Sequence, residues 1–190
     1  MRTAMTVFLL GLLLSAHAAA AQDAIDYRVL ATNKTSTMQK EMNEAAEAGF
    51  RFDAVMGGDT SFGGSEVVVI MSKDKRDQGR YDYRLLAVSK TSTMQKEMQE
   101  AGDAGYEYKG QSVFKSTFGG KEVVAILERD KGESPKGGFE YRLLATKKTS
   151  TLQKELAEAG EAGYEFVGMT VADTLVGGNE VVAILRRKLQ

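Results

Sequence analysis

The chain repeats itself three times. Residues 27–74, 83–130 and 141–188 align without a gap, and each copy is fewer than fifty residues long. The copies open with YRVLATNKTSTMQKEMNEAAEAGF, YRLLAVSKTSTMQKEMQEAGDAGY and YRLLATKKTSTLQKELAEAGEAGY. They close with FGGSEVVVIM, FGGKEVVAIL and VGGNEVVAIL. Self-similarity at a fixed period means one supersecondary unit used several times. Residues 75–82 and 131–140 are polar linkers, and the second holds the only proline, Pro135.

Each unit reads as strand, helix, strand, strand. The first strand begins at Tyr27 and runs to about Thr32. A helix then opens at Lys34-Thr35-Ser36-Thr37, where Ser36 and Gln39 have the spacing of a capping box. Its apolar positions, Met38, Met42, Ala45 and Ala46, follow helical spacing. Gly49, Gly105 and Gly163 stand where a left-handed residue ends a helix. The second strand alternates, Phe50 and Phe52 against Arg51 and Asp53, as a strand with one wet face does. The third is a continuous apolar run, Val67 to Met71 and Val123 to Leu127, which places it in the middle of the sheet. The expected fold is therefore α+β: three split β-α-β-β units, each a sheet of strand order 1-3-2 with one helix on one face.

A unit this small buries too little surface to be comfortable alone, and the chain has no Cys with which to staple it. The rear face of the sheet also carries aliphatic residues. Both facts predict that the units pack together, in a pseudo-threefold arrangement, rather than hang as beads on their linkers.

Residues 1–21 read as a secretory signal peptide. Arg2 precedes an apolar core from Met5 to about Leu14, and small residues lead to an expected cut after Ala21. The core is too short to span a bilayer, and no later segment is long and apolar enough to do so. The expected location is the periplasm or the medium. The single His, His17, lies in this leader, so residues 22–190 contain neither His nor Cys. That removes Ser-His-Asp and Cys-His catalysis and zinc sites with Cys or His ligands. With 25 Lys and Arg against 26 Asp and Glu, the chain lacks the basic excess of a phosphate-driven nucleic-acid binder.

Tyr83-x-Leu85, Glu100-Ala101-Gly102-Asp103-Ala104-Gly105-Tyr106-Glu107 and Val123-Val124-Ala125-Ile126-Leu127-x-Arg129 resemble a small bacterial βαββ domain family of unknown function. That family opens on Y-x-V/L, ends its helix in G-x-x-G-W-E and its last strand in V-x-L-x-R. The chain departs at the family's Trp, which is Phe50, Tyr106 or Tyr164 here. The resemblance implies the fold and implies no catalytic residue.

The candidate site is an anion-binding one, met three times at a helix N-terminus: Lys34, Thr35, Ser36, Thr37; Lys90, Thr91, Ser92, Thr93; and Lys148, Thr149, Ser150, Thr151. Unpaired amides, hydroxyls and a Lys suit a phosphate or carboxylate. Met38 and Met42 recur as Met94 and Met98 but as Leu152 and Leu156 in the third copy, which is core substitution rather than metal ligation. Glu41, Glu44 and Glu47 and their counterparts form a solvated helix face. Arg28, Arg84 and Arg142 are expected to pair across strands with Glu66, Glu122 and Glu180, and Tyr27, Tyr83 and Tyr141 to cover the sheet edge.

The expected function is that of an exported, non-catalytic binding or assembly protein. The alternatives are an anion-binding module and a carboxylate-based hydrolase at a cleft between units. No cofactor or metal is expected. The expected partner is a protein or a small anionic ligand, on a monomer with internal pseudo-symmetry or a small homo-oligomer.

Overall fold

The computed structural model describes residues 24–60, 64–73, 79–115, 121–132, 138–173 and 179–189. Residues 1–21, expected to be a signal peptide, lie outside the described residues, as does part of each linker. The first unit is β1 (Asp26–Thr32), α1 (Thr35–Glu47), β2 (Arg51–Thr60) and β3 (Gly64–Lys73). The second is β4 (Tyr81–Val88), α2 (Thr91–Asp103), β5 (Glu107–Lys115) and β6 (Lys121–Asp130). The third is β7 (Phe139–Thr146), α3 (Thr149–Glu161), β8 (Glu165–Asp173) and β9 (Asn179–Lys188). Each sheet is antiparallel with its last strand central: β1-β3-β2, β4-β6-β5 and β7-β9-β8. The α+β class and the 1-3-2 order expected from the sequence are those observed.

The helices form as their spacing requires. Met38, Met42, Ala45 and Ala46 are the buried residues of α1. Gly49, Gly105 and Gly163 take φ of +90°, +82° and +81°, a region costly to any residue with a Cβ. There the Gly49 amide donates to the Ala46 carbonyl at 2.9 Å and the Phe50 amide to that of Ala45 at 3.0 Å, closing the helix end. A cation from the last strand also reaches each helix C-terminus: Lys73 donates to the Ala48 carbonyl, Arg129 to Ala104 and Arg187 to Ala162.

The capping box is not formed. The residue before each helix is Lys34, Lys90 or Lys148, in extended backbone, and no side chain caps the amides. Gln39 is turned to another partner, described below. The expected Arg–Glu strand pairs are not formed either. Strand register sets Arg28 opposite Met71 and Thr32 opposite Val67, so Arg28 and Glu66 lie at opposite ends of the pair. Arg28 instead lies over the Phe50 ring at 4.3 Å, and Arg142 is 5.8 Å from that of Tyr164.

The units share their cores, as the small size of each unit predicts. The first core combines Met38, Met42 and Phe50 of the first unit with Tyr81, Tyr83, Leu85, Val124 and Ile126 of the second. The second core combines Met94, Met98 and Leu127 with Tyr141 and Ile184 of the third unit. The third core is smaller and draws only on its own unit. So the rear of each sheet closes the front of the unit before it. Among the described residues the principal contacts between units join α1 to β4, β2 to β5, α2 to β7 and β5 to β8, and none of these principal contacts joins the first unit to the third. The units therefore stand in a head-to-tail row rather than around a closed threefold axis. A heterologous joint closes on itself only when its rotation divides a full turn.

Candidate binding surfaces

Two joints hold the row together, and they use the same atoms. A strand at a sheet edge leaves backbone donors and acceptors unpaired. At the first joint these are taken by amide side chains of the preceding helix. Asn43 Oδ1 accepts from the Tyr83 amide at 2.8 Å while Asn43 Nδ2 donates to the Tyr83 carbonyl at 3.0 Å. Gln39 Oε1 accepts from the Leu85 amide at 2.8 Å. At the second joint Gln99 accepts from the Tyr141 amide and Gln95 from the Leu143 amide, at 2.9 and 2.8 Å. Helix side chains thus imitate a neighbouring strand.

The first-strand tyrosine completes the joint. Each second strand carries a β-bulge, after Phe52, Tyr108 and Phe166. The Tyr83 hydroxyl accepts from the Phe52 amide at 2.8 Å and donates to Glu128 Oε2 at 2.8 Å. The Tyr141 hydroxyl accepts from the Tyr108 amide at 2.5 Å and donates to the Tyr106 carbonyl at 3.1 Å. Burial, then the charge of Glu128, pushes the Tyr83 phenol far above its ordinary range, and burial does the same to Tyr141. Tyr108 is pushed up to about 12 by burial alone. All three phenols stay neutral at physiological pH, and those of Tyr83 and Tyr141 serve as hydrogen-bond groups.

Glycine lets the strands approach. A Cβ on Gly110 would meet the Phe52 ring at 3.2 Å, and one on Gly168 would collide with the Tyr108 hydroxyl. On α2, a Cβ on Gly102 would collide with the Phe139 carbonyl oxygen.

The two joints carry opposite charges at matching positions. Arg51 pairs with Glu128 at 2.9 Å in the first. In the second, Glu107 pairs with Arg186 and, within its own strand, with Lys109 at 2.8 Å. Burial disfavours the ionised Glu107, but Lys109 and Arg186 outweigh it and hold its carboxyl below the ordinary 4.5. The swap enforces order. A third unit docked on the first would set Arg186 against Arg51.

Among the described residues the outer ends of the row lack these partners. The large apolar residues on the rear face of the first strand are open in the first unit and covered in the other two. Tyr27 is 62% exposed, while Tyr83 is 2% and Tyr141 3%. Val29 is 63% exposed and its counterpart Leu85 is 8%. Ile25, Val68 and Ile70 extend the same face. At the other end, Phe166 is 57% exposed where Tyr108 is 7%. Met169 and Val171 lie open beside it, and Leu152 and Leu156 are half-buried where Met38 and Met42 are sealed.

The Lys-Thr-Ser-Thr segments stand at the starts of α1, α2 and α3, with Lys34, Lys90 and Lys148 exposed. At α2 a carboxylate of the chain is already in place: the Thr91 hydroxyl donates to Glu180 Oε1 of the third unit at 2.9 Å. Among the described residues no group of three Asp, Glu, His or Cys is arranged to hold a metal ion. Among them too, no helix is long and apolar enough to cross a membrane.

Gln39, Asn43, Gln95 and Gln99 are the residues that sequence reasoning missed. Their signal was present in the repeats. The glutamine is kept in every copy, as Gln39, Gln95 and Gln153, while Asn43 and Gln99 become Ala157 in the third copy. Comparison with protein-family models, curated proteins and solved structures finds no match to this chain.

Proposed function

We propose that this is an exported, non-catalytic binding and assembly protein that works through the two end faces of its row. The observation that carries this reading is the contrast at matching positions. Ile25, Tyr27 and Val29 at one end, and Phe166 and Met169 at the other, are open where their counterparts are buried or half-buried in a joint. A soluble chain seldom leaves an apolar sheet edge bare, because such an edge invites pairing. Export rests on the leader at residues 1–21, and the lack of His and Cys in residues 22–190 argues against the commoner nucleophilic and zinc chemistries. The resemblance to the small bacterial βαββ family agrees with a role that needs no catalytic residue.

The test is capture from the native envelope and medium, using the protein and a variant carrying Tyr27→Asp and Phe166→Asp, with mass spectrometry of what is retained. Retention by the protein and loss with the variant is the expected result. Equal retention by both, or none by either, would contradict the reading.

A further inference from the structure

We propose that the occupant of each end face is a second copy of this chain: α3 and β8 of one copy receive β1 of the next, extending the row head to tail. The proposal rests on the reading of the end faces as the binding surfaces and names what fills them. Its warrant is continuity with a joint that the chain already makes twice.

The groups for a third joint are present at matching positions. Gln153, on the exposed side of α3, corresponds to Gln39 and Gln95, and would accept from the Val29 amide as they accept from Leu85 and Leu143. The Tyr27 hydroxyl would accept from the Phe166 amide at the third bulge, as Tyr83 and Tyr141 accept from Phe52 and Tyr108. Gly160 corresponds to Gly102, and a Cβ there would meet nothing within 4 Å, so the notch that admits a strand at the second joint is open on α3. The Phe166 ring would lie on Ala54, which is exposed. Phe166 lacks the hydroxyl that crowds Gly168, and at the equivalent Phe52–Gly110 contact a Cβ would sit at 3.2 Å, so the Phe166 ring must give by a few tenths of an ångström to seat on this methyl.

Two departures make this joint weaker than the internal ones. Ala157 removes one of the two amide clamps, and Glu165 would face Ser72 in place of an opposite charge. The internal joints also gain from the linkers, which hold their partners at high effective concentration. Association is therefore reversible and dependent on concentration. It yields a ring if the rotation closes and a filament if it does not.

Sedimentation velocity of the purified protein from micromolar to millimolar concentration tests this, alongside Tyr27→Asp and Phe166→Asp variants made separately. Both positions are exposed in the single chain, so each variant should melt like the parent. Val29→Lys and Met169→Lys replace any that does not. The parent should grow in steps of one chain. Each variant alone should remain a single chain. An equimolar mixture of the two should form a two-chain complex and nothing larger, because one copy keeps an intact β1 face and the other an intact α3–β8 face. A parent that stays monomeric throughout overturns the proposal. So does a Phe166→Asp variant that associates like the parent, which would mean pairing of two β1 edges. If the purified protein is monomeric yet capture from the envelope still depends on Tyr27 and Phe166, the second copy is excluded while the end faces remain binding surfaces.

Discussion

Arg51 and Glu128 form a pair in which the acid is almost wholly buried and the base is partly exposed. The acid is also held by the Tyr83 hydroxyl and lies 3.5 Å from Lys109. Removing one partner of such a pair costs more than the pair contributes, because it strands a charge away from water. Arg51→Glu should destabilise the chain by about 2–3 kcal/mol in denaturant unfolding, discounted for the exposure of the arginine. Adding Glu128→Arg should recover only part of that, since it restores the charge order that Glu107 and Arg186 use one joint further on but sets the new arginine beside Lys109. Glu107 predicts a pH effect. Its carboxyl is held below 4.5 in the folded chain, so the stability it adds is complete above the ordinary value. That stability is lost as pH falls through the lowered value. Glu107→Gln should lower the melting temperature at neutral pH, and the gap between variant and parent should close in acid. A gap that persists unchanged below that range would contradict the pairing. Little of this was visible one residue at a time. Arg51 read as a wet-face residue of an alternating strand, and only the reversed signs at matching positions of the joints mark its partner.

The elements were largely legible because their constraints are local. Helical spacing of Met38, Met42, Ala45 and Ala46 gave α1 its buried stripe, and the unbroken run Val67 to Met71 placed β3 in the middle of its sheet. The roles of Gln39 and Tyr83 were not legible locally, because their partners are 46 and 45 residues away in the chain. Gln39 has capping-box spacing and a strand edge competing for one amide, and the edge wins because the Leu85 amide lies inside the joint, away from water, while Ser36 at the helix start is exposed and can be solvated. One position separates local from tertiary effects cleanly. Gly102 and Gly160 occupy the same place on α2 and α3, but a Cβ would strike the Phe139 carbonyl oxygen at the first and meet nothing at the second. Gly102→Ala should therefore cost about 1–3 kcal/mol by overpacking. Gly160→Ala, at low protein concentration, should be neutral or stabilise by about 0.5 kcal/mol through helix propensity. Equal effects at the two positions would mean that the joint does not control them.

At the scale of the whole molecule, the central strand of the middle unit is covered on both faces. Every residue from Val123 to Glu128 in β6 is buried, half of them against α2 and half against the first unit. In β3 the alternate residues Val68 and Ile70 are only half-buried. The same sequence pattern thus has different environments because of its place in the row. This is what the count of repeats implied and what a single copy could not reveal. The direction of packing was not legible, since a unit with two apolar faces satisfies a closed ring and an open row equally well. The central claim is that each unit is completed by the next, and equilibrium unfolding of residues 81–130 alone tests it most directly. Head-to-tail completion predicts no cooperative transition from that segment, because Tyr81, Tyr83, Leu85, Val124 and Ile126 would all face water. A stable, monomeric, cooperatively unfolding segment would contradict it.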